Sequence, residues 1–179
     1  MKHTPLFCLL LLAASLLLSQ CKKDNADPLD KLPPATQTGA NTFGCLVNGQ
    51  AWTPKGYNGY ANYTVNYDPT YRNGTLNVAT YRLSGSGSDQ QDVAVYSDSL
   101  RSAGAYPLTT RGRHGAVFLN RQTNCRYYST DANTYCRGTL TITRLDLQAG
   151  VISGTFAFTL YKPGCDSIRV TNGRFDKKL

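Results

Sequence analysis

The sequence predicts an all-β fold: a single antiparallel domain, either a β-sandwich or a barrel-like closure, of about 8–10 strands. Three observations carry this expectation. Every one of the eleven acidic residues is Asp, and Asp favours helices poorly where Glu favours them well. Residues 42–179 are rich in Tyr, Thr, Val, Gly and Asn, the residues of strands and turns. Apolar residues recur with a period of two, and no ten-residue segment holds a helical period.

The strands follow in chain order. Phe43 to Val47 precedes Asn48-Gly49, a tight-turn pair. Tyr63, Val65 and Tyr67 alternate with Asn62, Thr64 and Asn66, and Leu76 and Val78 alternate with Thr75, Asn77 and Ala79. Turn signals at Asn58-Gly59 and Asn73-Gly74 bracket these runs. Val93 and Val95 mark the next strand, and Ala116 to Leu119, apolar at every position, a central one. In the segment Gly138 to Leu147 the apolar parity switches from Leu140 and Ile142 to Leu145 and Leu147. A switch inside one strand places a bulge near Thr143 or Arg144. Leu147 to Val151 supplies a hairpin turn, and Ile152, Gly154, Phe156, Phe158 and Leu160 share one face of the following strand. Ile168 to Val170 is the last strand, followed by an Asn172-Gly173 turn that lets Phe175 close the core.

The N-terminus reads as a processing signal. Lys2 and His3 precede thirteen nearly unbroken apolar residues, Leu6 to Leu18. A bilayer span needs about 20, so residues 1–20 are expected as a secretory leader. Leu18-Ser19-Gln20-Cys21 resembles a bacterial lipobox, with Gln20 where Gly, Ala or Ser is usual. Cleavage there makes Cys21 the lipidated first residue, carrying palmitate-type chains. Two or more acyl chains hold a protein stably at a bilayer. The expected address is the cell envelope, lipid-anchored at the outer membrane on its periplasmic or surface side. Residues 21–41, with Pro28, Pro33 and Pro34 among polar residues, are expected as a disordered tether. Residues 42–179 form the β domain.

Four cysteines remain after processing: Cys45, Cys125, Cys136 and Cys165. An even number in an exported chain implies disulfides, with three possible connectivities. The preferred pairs are Cys125–Cys136, closing a short loop, and Cys45–Cys165, tying the first strand to the last hairpin. There is no CxxC pair, and His114 is the only histidine beyond the leader, so neither a metal site nor a Cys–His nucleophile is expected, and no cofactor.

Other constellations are weaker. Asp89 with Asp92, or Asp166 with Asp176, would supply the carboxylates of a hydrolase, but no spacing marks either pair. An oxygen-rich loop at Ser86 to Asp92 suits calcium no better than solvent. Arg111, Arg113, His114, Arg121, Arg126 and Arg137, with Tyr127, Tyr128 and Tyr135 nearby, form a basic stretch. Such a stretch suits an anionic glycan in the envelope better than nucleic acid, which is not an expected partner. Tyr57, Tyr60, Tyr63 and Tyr67 are the densest aromatic group and the first candidates for carbohydrate. Trp52 is expected as a core plug. The composite expectation is a non-catalytic, lipid-anchored binding or structural module. Its partners would be the membrane and a glycan or envelope protein, and its oligomeric state is left open. The runner-up is a carbohydrate-binding accessory lipoprotein, and a hydrolase comes after it.

Phe43 to Pro54, FGCLVNGQAWTP, resembles the opening of an uncharacterised family of small Bacteroidota lipoproteins with a V-N-G-x-x-W-x-P pattern. Gly138 to Tyr161 and VTNGRFD, Val170 to Asp176, resemble that family's closing strands. The resemblance implies a lipid-anchored β domain and carries over no activity and no catalytic residue.

Overall fold

The computed structural model describes residues 27–85, 89–123 and 125–179. The leader, Cys21 and Ser86 to Ser88 of the proposed calcium loop lie outside the described residues. The eight expected segments all become strands, and three short ones that the sequence did not suggest, Gln50–Trp52, Gly104–Thr109 and Cys125–Tyr128, join them; among the described residues the eleven form two antiparallel sheets, so the sandwich form of the expectation holds. One sheet runs in the order β2 (Gln50–Trp52), β1 (Thr42–Val47), β11 (Ile168–Lys178), β10 (Val151–Tyr161), β9 (Tyr135–Asp146), β6 (Gly104–Thr109). The facing sheet runs β3 (Tyr63–Asp68), β4 (Thr75–Ser84), β5 (Asp89–Asp98), β7 (His114–Asn120), β8 (Cys125–Tyr128). The short strands β2, β6 and β8 lie at sheet edges. The edge position of β6 tolerates Pro107, which cannot donate to a ladder.

Asn48-Gly49 makes the two-residue turn between β1 and β2, with φ of 49° and 80°. The β9 bulge falls where the parity switch put it: Arg144 faces Ser153 and Ile142 faces Gly154, leaving Thr143 as the extra residue. Asn172-Gly173 departs from the expectation. It is no turn, because β11 continues through it. Phe156 faces Gly173 and Phe158 faces Val170, so Thr171 and Asn172 together oppose Ala157. Asn172, at φ 51°, is a bulge residue. It keeps Ile168 and Val170 before it, and Gly173 and Phe175 after it, on the core side.

Three phenylalanines of the first sheet each lie opposite a glycine on the neighbouring strand: Phe156 and Gly173, Phe175 and Gly154, Phe158 and Gly138. A Cβ at Gly173 would lie 2.3 Å from the Phe156 ring, and one at Gly154 would lie 2.7 Å from the Phe175 ring. The rings occupy the volume that a side chain would need. Phe43 joins these rings to the other sheet, with centroids 5.4 Å from Phe156, 5.7 Å from Tyr63 and 5.9 Å from Trp52. Trp52 is the core plug expected of it, and its indole N–H donates to Gln91.

The described part of the expected tether, residues 27–41, lies against the domain instead. Leu32 is buried, and Pro33 crosses the outer face of the first sheet over Gly44, where a Cβ would meet its ring at 2.7 Å. Asp176 holds the rest. It is 1% exposed, and its carboxylate accepts from Thr36 Oγ1 (2.7 Å), Gly39 N (2.8 Å), Thr38 N (2.9 Å) and Ala40 N (3.0 Å). Ser153 Oγ adds a further bond at 2.7 Å. The Gln37 carbonyl accepts from Arg144. Composition argued for disorder because the segment buries little of its own. What orders it is one carboxylate, which exchanges water for at least five donors.

Burial alone would raise the Asp176 pKa, but the donors from Thr36, Ser153, Ala40 and Thr38 outweigh it and hold it well below the usual 3.8. A depressed carboxyl contributes stability that is complete above its unfolded pKa and is lost as pH falls below it. Wild-type protein is therefore expected to lose stability steadily below about pH 4. Asp176→Asn is expected to be less stable at pH 7 and flatter over the same acid range, as read by denaturant midpoints at pH 7 and pH 3. Parallel acid profiles for the two proteins would contradict this.

Candidate functional site

The four tyrosines singled out in the sequence separate by role. Tyr63 lies in the core and donates to the Asp176 carbonyl, and Tyr67 packs at its edge and donates to the Leu100 carbonyl. Burial pushes both phenols up, as expected of packing residues. Tyr57 and Tyr60 are 75% and 79% exposed. They sit on the β2–β3 connection, residues 53–62, at one end of the sandwich.

That connection is fixed along its length. Lys55 N donates to the Tyr81 carbonyl and Leu83 N to the Lys55 carbonyl. The Tyr81 hydroxyl accepts from Asn58 N at 3.0 Å and donates to the Tyr60 carbonyl at 2.6 Å. Asn62 Nδ2 donates to the Gly56 carbonyl, and Asn58 Nδ2 to Gln90. The two exposed rings thus project from an anchored backbone, which lowers the ordering cost of engaging a ligand.

A groove of about 700 Å³ opens between the strap and the loop, lined by Lys31, Asn41, Thr53, Tyr57, Asn62 and Lys177 among others, and Tyr60 stands outside its lining on the same loop. That size lies within the range of small-molecule sites. Lys177 Nζ donates to Asn41 Oδ1 at 2.6 Å and stands 4.9 Å from the Tyr63 ring centre. Groove and rings together offer stacking surface, amide groups and a cation.

The acid–base candidates do not assemble. Asp89 and Asp92 are three residues apart on β5, which sends their side chains to opposite faces. Asp166 precedes β11 and Asp176 lies near its far end, under the strap. His114 Nδ1 is 2.7 Å from Ser97 Oγ, its ring packs edge-on to Tyr106, and burial pushes its pKa down. Ser97 is fully buried, so this contact offers no nucleophile to a substrate. The basic stretch is also dispersed: Arg111 and Arg113 sit at one end of β7, Arg121 at the other, Arg126 on β8 and Arg137 on the opposite sheet. No group of three potential metal ligands occurs among the described residues.

The cysteine pairing differs from both expected pairs. Cys125 bonds to Cys165, and Cys45 and Cys136 are free and buried. Cys125 and Cys136, close in sequence, are carried into different sheets. Cys45 on β1 and Cys136 on β9 are separated by β11 and β10, about 14 Å at the usual strand spacing. That exceeds the reach of about 7 Å between bonded cysteine Cα atoms. The disulfide ties the edge of one sheet to the β10–β11 loop of the other, beside a hydrogen bond from the Tyr127 hydroxyl to the Asp166 carbonyl. Burial pushes the free thiols up, Cys45 to about 12 and Cys136 to about 11, which holds both in the less reactive thiol form at neutral pH.

A peptide map of unreduced protein is expected to contain a Cys125–Cys165 crosslink, with Cys45 and Cys136 alkylated only after denaturation. Replacing Cys125 and Cys165 together by Ser should cost about 2–4 kcal/mol of unfolding free energy. Rapid alkylation of Cys45 and Cys136 in the native protein would contradict this arrangement.

A family model, Domain of unknown function (DUF6252), matches residues 48–177, and the chain belongs to that family. Neither the comparison with curated proteins nor that with solved structures found a match.

Proposed function

Starting from a family whose function is unknown, we propose that the chain is a lipid-anchored, non-catalytic binding module of the bacterial cell envelope, engaging its ligand at the groove that Tyr57 lines and at Tyr60 on the same loop. The observation that carries the binding role is the pinned loop with its two exposed rings. Exposed aromatic rings on a fixed backbone lose little freedom when a ligand stacks on them. The ligand that suits them is a carbohydrate, whose ring faces stack on tyrosine while its hydroxyls meet Asn41, Asn62 and Lys177. The support for anchoring is the apolar run from Leu6 to Leu18, ending at Cys21 with two lysines directly after it. In this reading only residues 22–26 separate the lipidated cysteine from the docked strap. Their full extension reaches about 20 Å, so the domain would work close to its membrane.

Two measurements test the proposal separately. Mass spectrometry of the mature N-terminal peptide is expected to find acylated Cys21, and Cys21→Ser is expected to shift the protein from the membrane to the soluble fraction. An unacylated wild-type peptide would end the anchoring proposal. On a glycan array, wild type is expected to bind at least one glycan, and Tyr57→Ala with Tyr60→Ala to lose at least about tenfold in affinity, the worth of one or two aromatic contacts. Unchanged binding in the double variant would remove the groove from the proposal.

A further inference from the structure

The outer face of the first sheet, beyond the strap, carries a second set of exposed groups. Outward positions of β9, β10 and β11 there hold three arginines, five threonines, two tyrosines and Ala157, with no carboxylate among them. They form rows across the strands. Tyr135 and Tyr161 are directly paired, 49% and 46% exposed, their Cβ atoms about 5 Å apart. In the next row Arg137 and Arg169 flank Thr159, about 10 Å apart across two strand spacings. Neither guanidinium has a side-chain partner among the described residues. The following rows bring Thr139 and Thr171 beside Ala157, and Thr141 beside Thr155 and Arg174. Two shallow depressions, about 400 and 280 Å³, run along this face and join at Thr139 and Ala157.

We propose that this face binds an acidic polysaccharide. Each element matches one feature of such a chain. The tyrosine pair offers two exposed rings on which sugar faces can stack. Arg137 and Arg169 present forked donors that fit carboxylate or sulfate groups. The threonine hydroxyls donate and accept, as sugar hydroxyls do. Charge decides for an anion: three arginines and no acid leave the surface uncompensated. Shape decides for a glycan over an acidic peptide, because the depressions are long and open and no apolar hole is present to take a side-chain anchor. The inference does not depend on lipidation or on the groove that Tyr57 lines.

The test uses the purified full chain in affinity electrophoresis against polygalacturonate and dextran sulfate, with neutral dextran and polyaspartate as comparisons. Retardation by at least one acidic polysaccharide, and by neither comparison polymer, is expected. Arg137→Gln with Arg169→Gln should weaken it by about tenfold or more, the worth of charged hydrogen bonds lost. Tyr135→Ala with Tyr161→Ala should weaken it comparably. Arg113→Gln with Arg121→Gln removes the same charge elsewhere and is expected to stay within about twofold of wild type. The two platform variants are judged independently, each after its melting temperature matches wild type, so one that fails to fold leaves the other decisive. No retardation by either acidic polysaccharide, stronger retardation by polyaspartate, or equal loss in the Arg113/Arg121 variant would overturn the proposal.

Discussion

The bulge at Asn172 sets the geometry on which both faces of the first sheet depend. In an uninterrupted strand, side chains alternate without exception, so a strand that points Ile168 and Val170 inward would point Phe175 outward and bury Asp176 in the core. The extra residue reverses the parity once. Phe175 then enters the core over Gly154, and Gly173 comes to lie beneath the Phe156 ring. On the outer side, Arg169 before the bulge and Arg174 and Asp176 after it all face away from the core. One residue in the left-handed conformation, at φ 51°, thus serves core, strap and basic face together. Asn is among the few non-glycine residues that adopt that conformation readily.

The glycines opposite the phenylalanines extend the same logic. The core has room for three large rings in adjacent strands because their cross-strand neighbours have no side chain. Adding one methyl group at Gly173 or Gly154 would push a ring out of a close-packed interior, the kind of overpacking that costs about 1–3 kcal/mol. The glycines do not act as flexible points here. They are part of how the packing between the sheets is shaped, and the Phe43 contacts to Trp52 and Tyr63 depend on the rings staying in place.

What was legible in the sequence follows from which signals are local. Apolar patterning gave eight of the eleven described strands and missed the short edge strands β2, β6 and β8, and the switch from Leu140 and Ile142 to Leu145 placed the β9 bulge to within a residue. The same signal was present in β11, in the switch from Ile168 and Val170 to Phe175, but Asn-Gly is so common in turns that it suggested a chain reversal. Long-range facts left no local trace. Cys125 and Cys165 meet because β8 closes one sheet beside the β10–β11 loop of the other, and no spacing encodes that. The docking of residues 27–41 depends on a carboxylate about 140 residues away, so the segment's own composition could only suggest a tether. Tyr57 and Tyr60 differ from Tyr63 and Tyr67 in lying outside the alternating run, and that was the available clue that they are displayed and not packed.

The strap has a position that composition could not suggest. Lys31 and Pro33 line the groove beside Tyr57, while Ala35, two residues on, borders the depression that also holds Thr141, Thr155 and Arg174. The Pro33 carbonyl accepts from Arg174, so the strap also fixes one arginine of the basic face. Undocking it would remove a wall from the groove and loosen the near end of that face at the same time. Asp176, buried beneath the strap, is therefore the residue through which the two surfaces share one structural support. Its role is positional: it holds the chain that shapes both surfaces and lines neither of them itself.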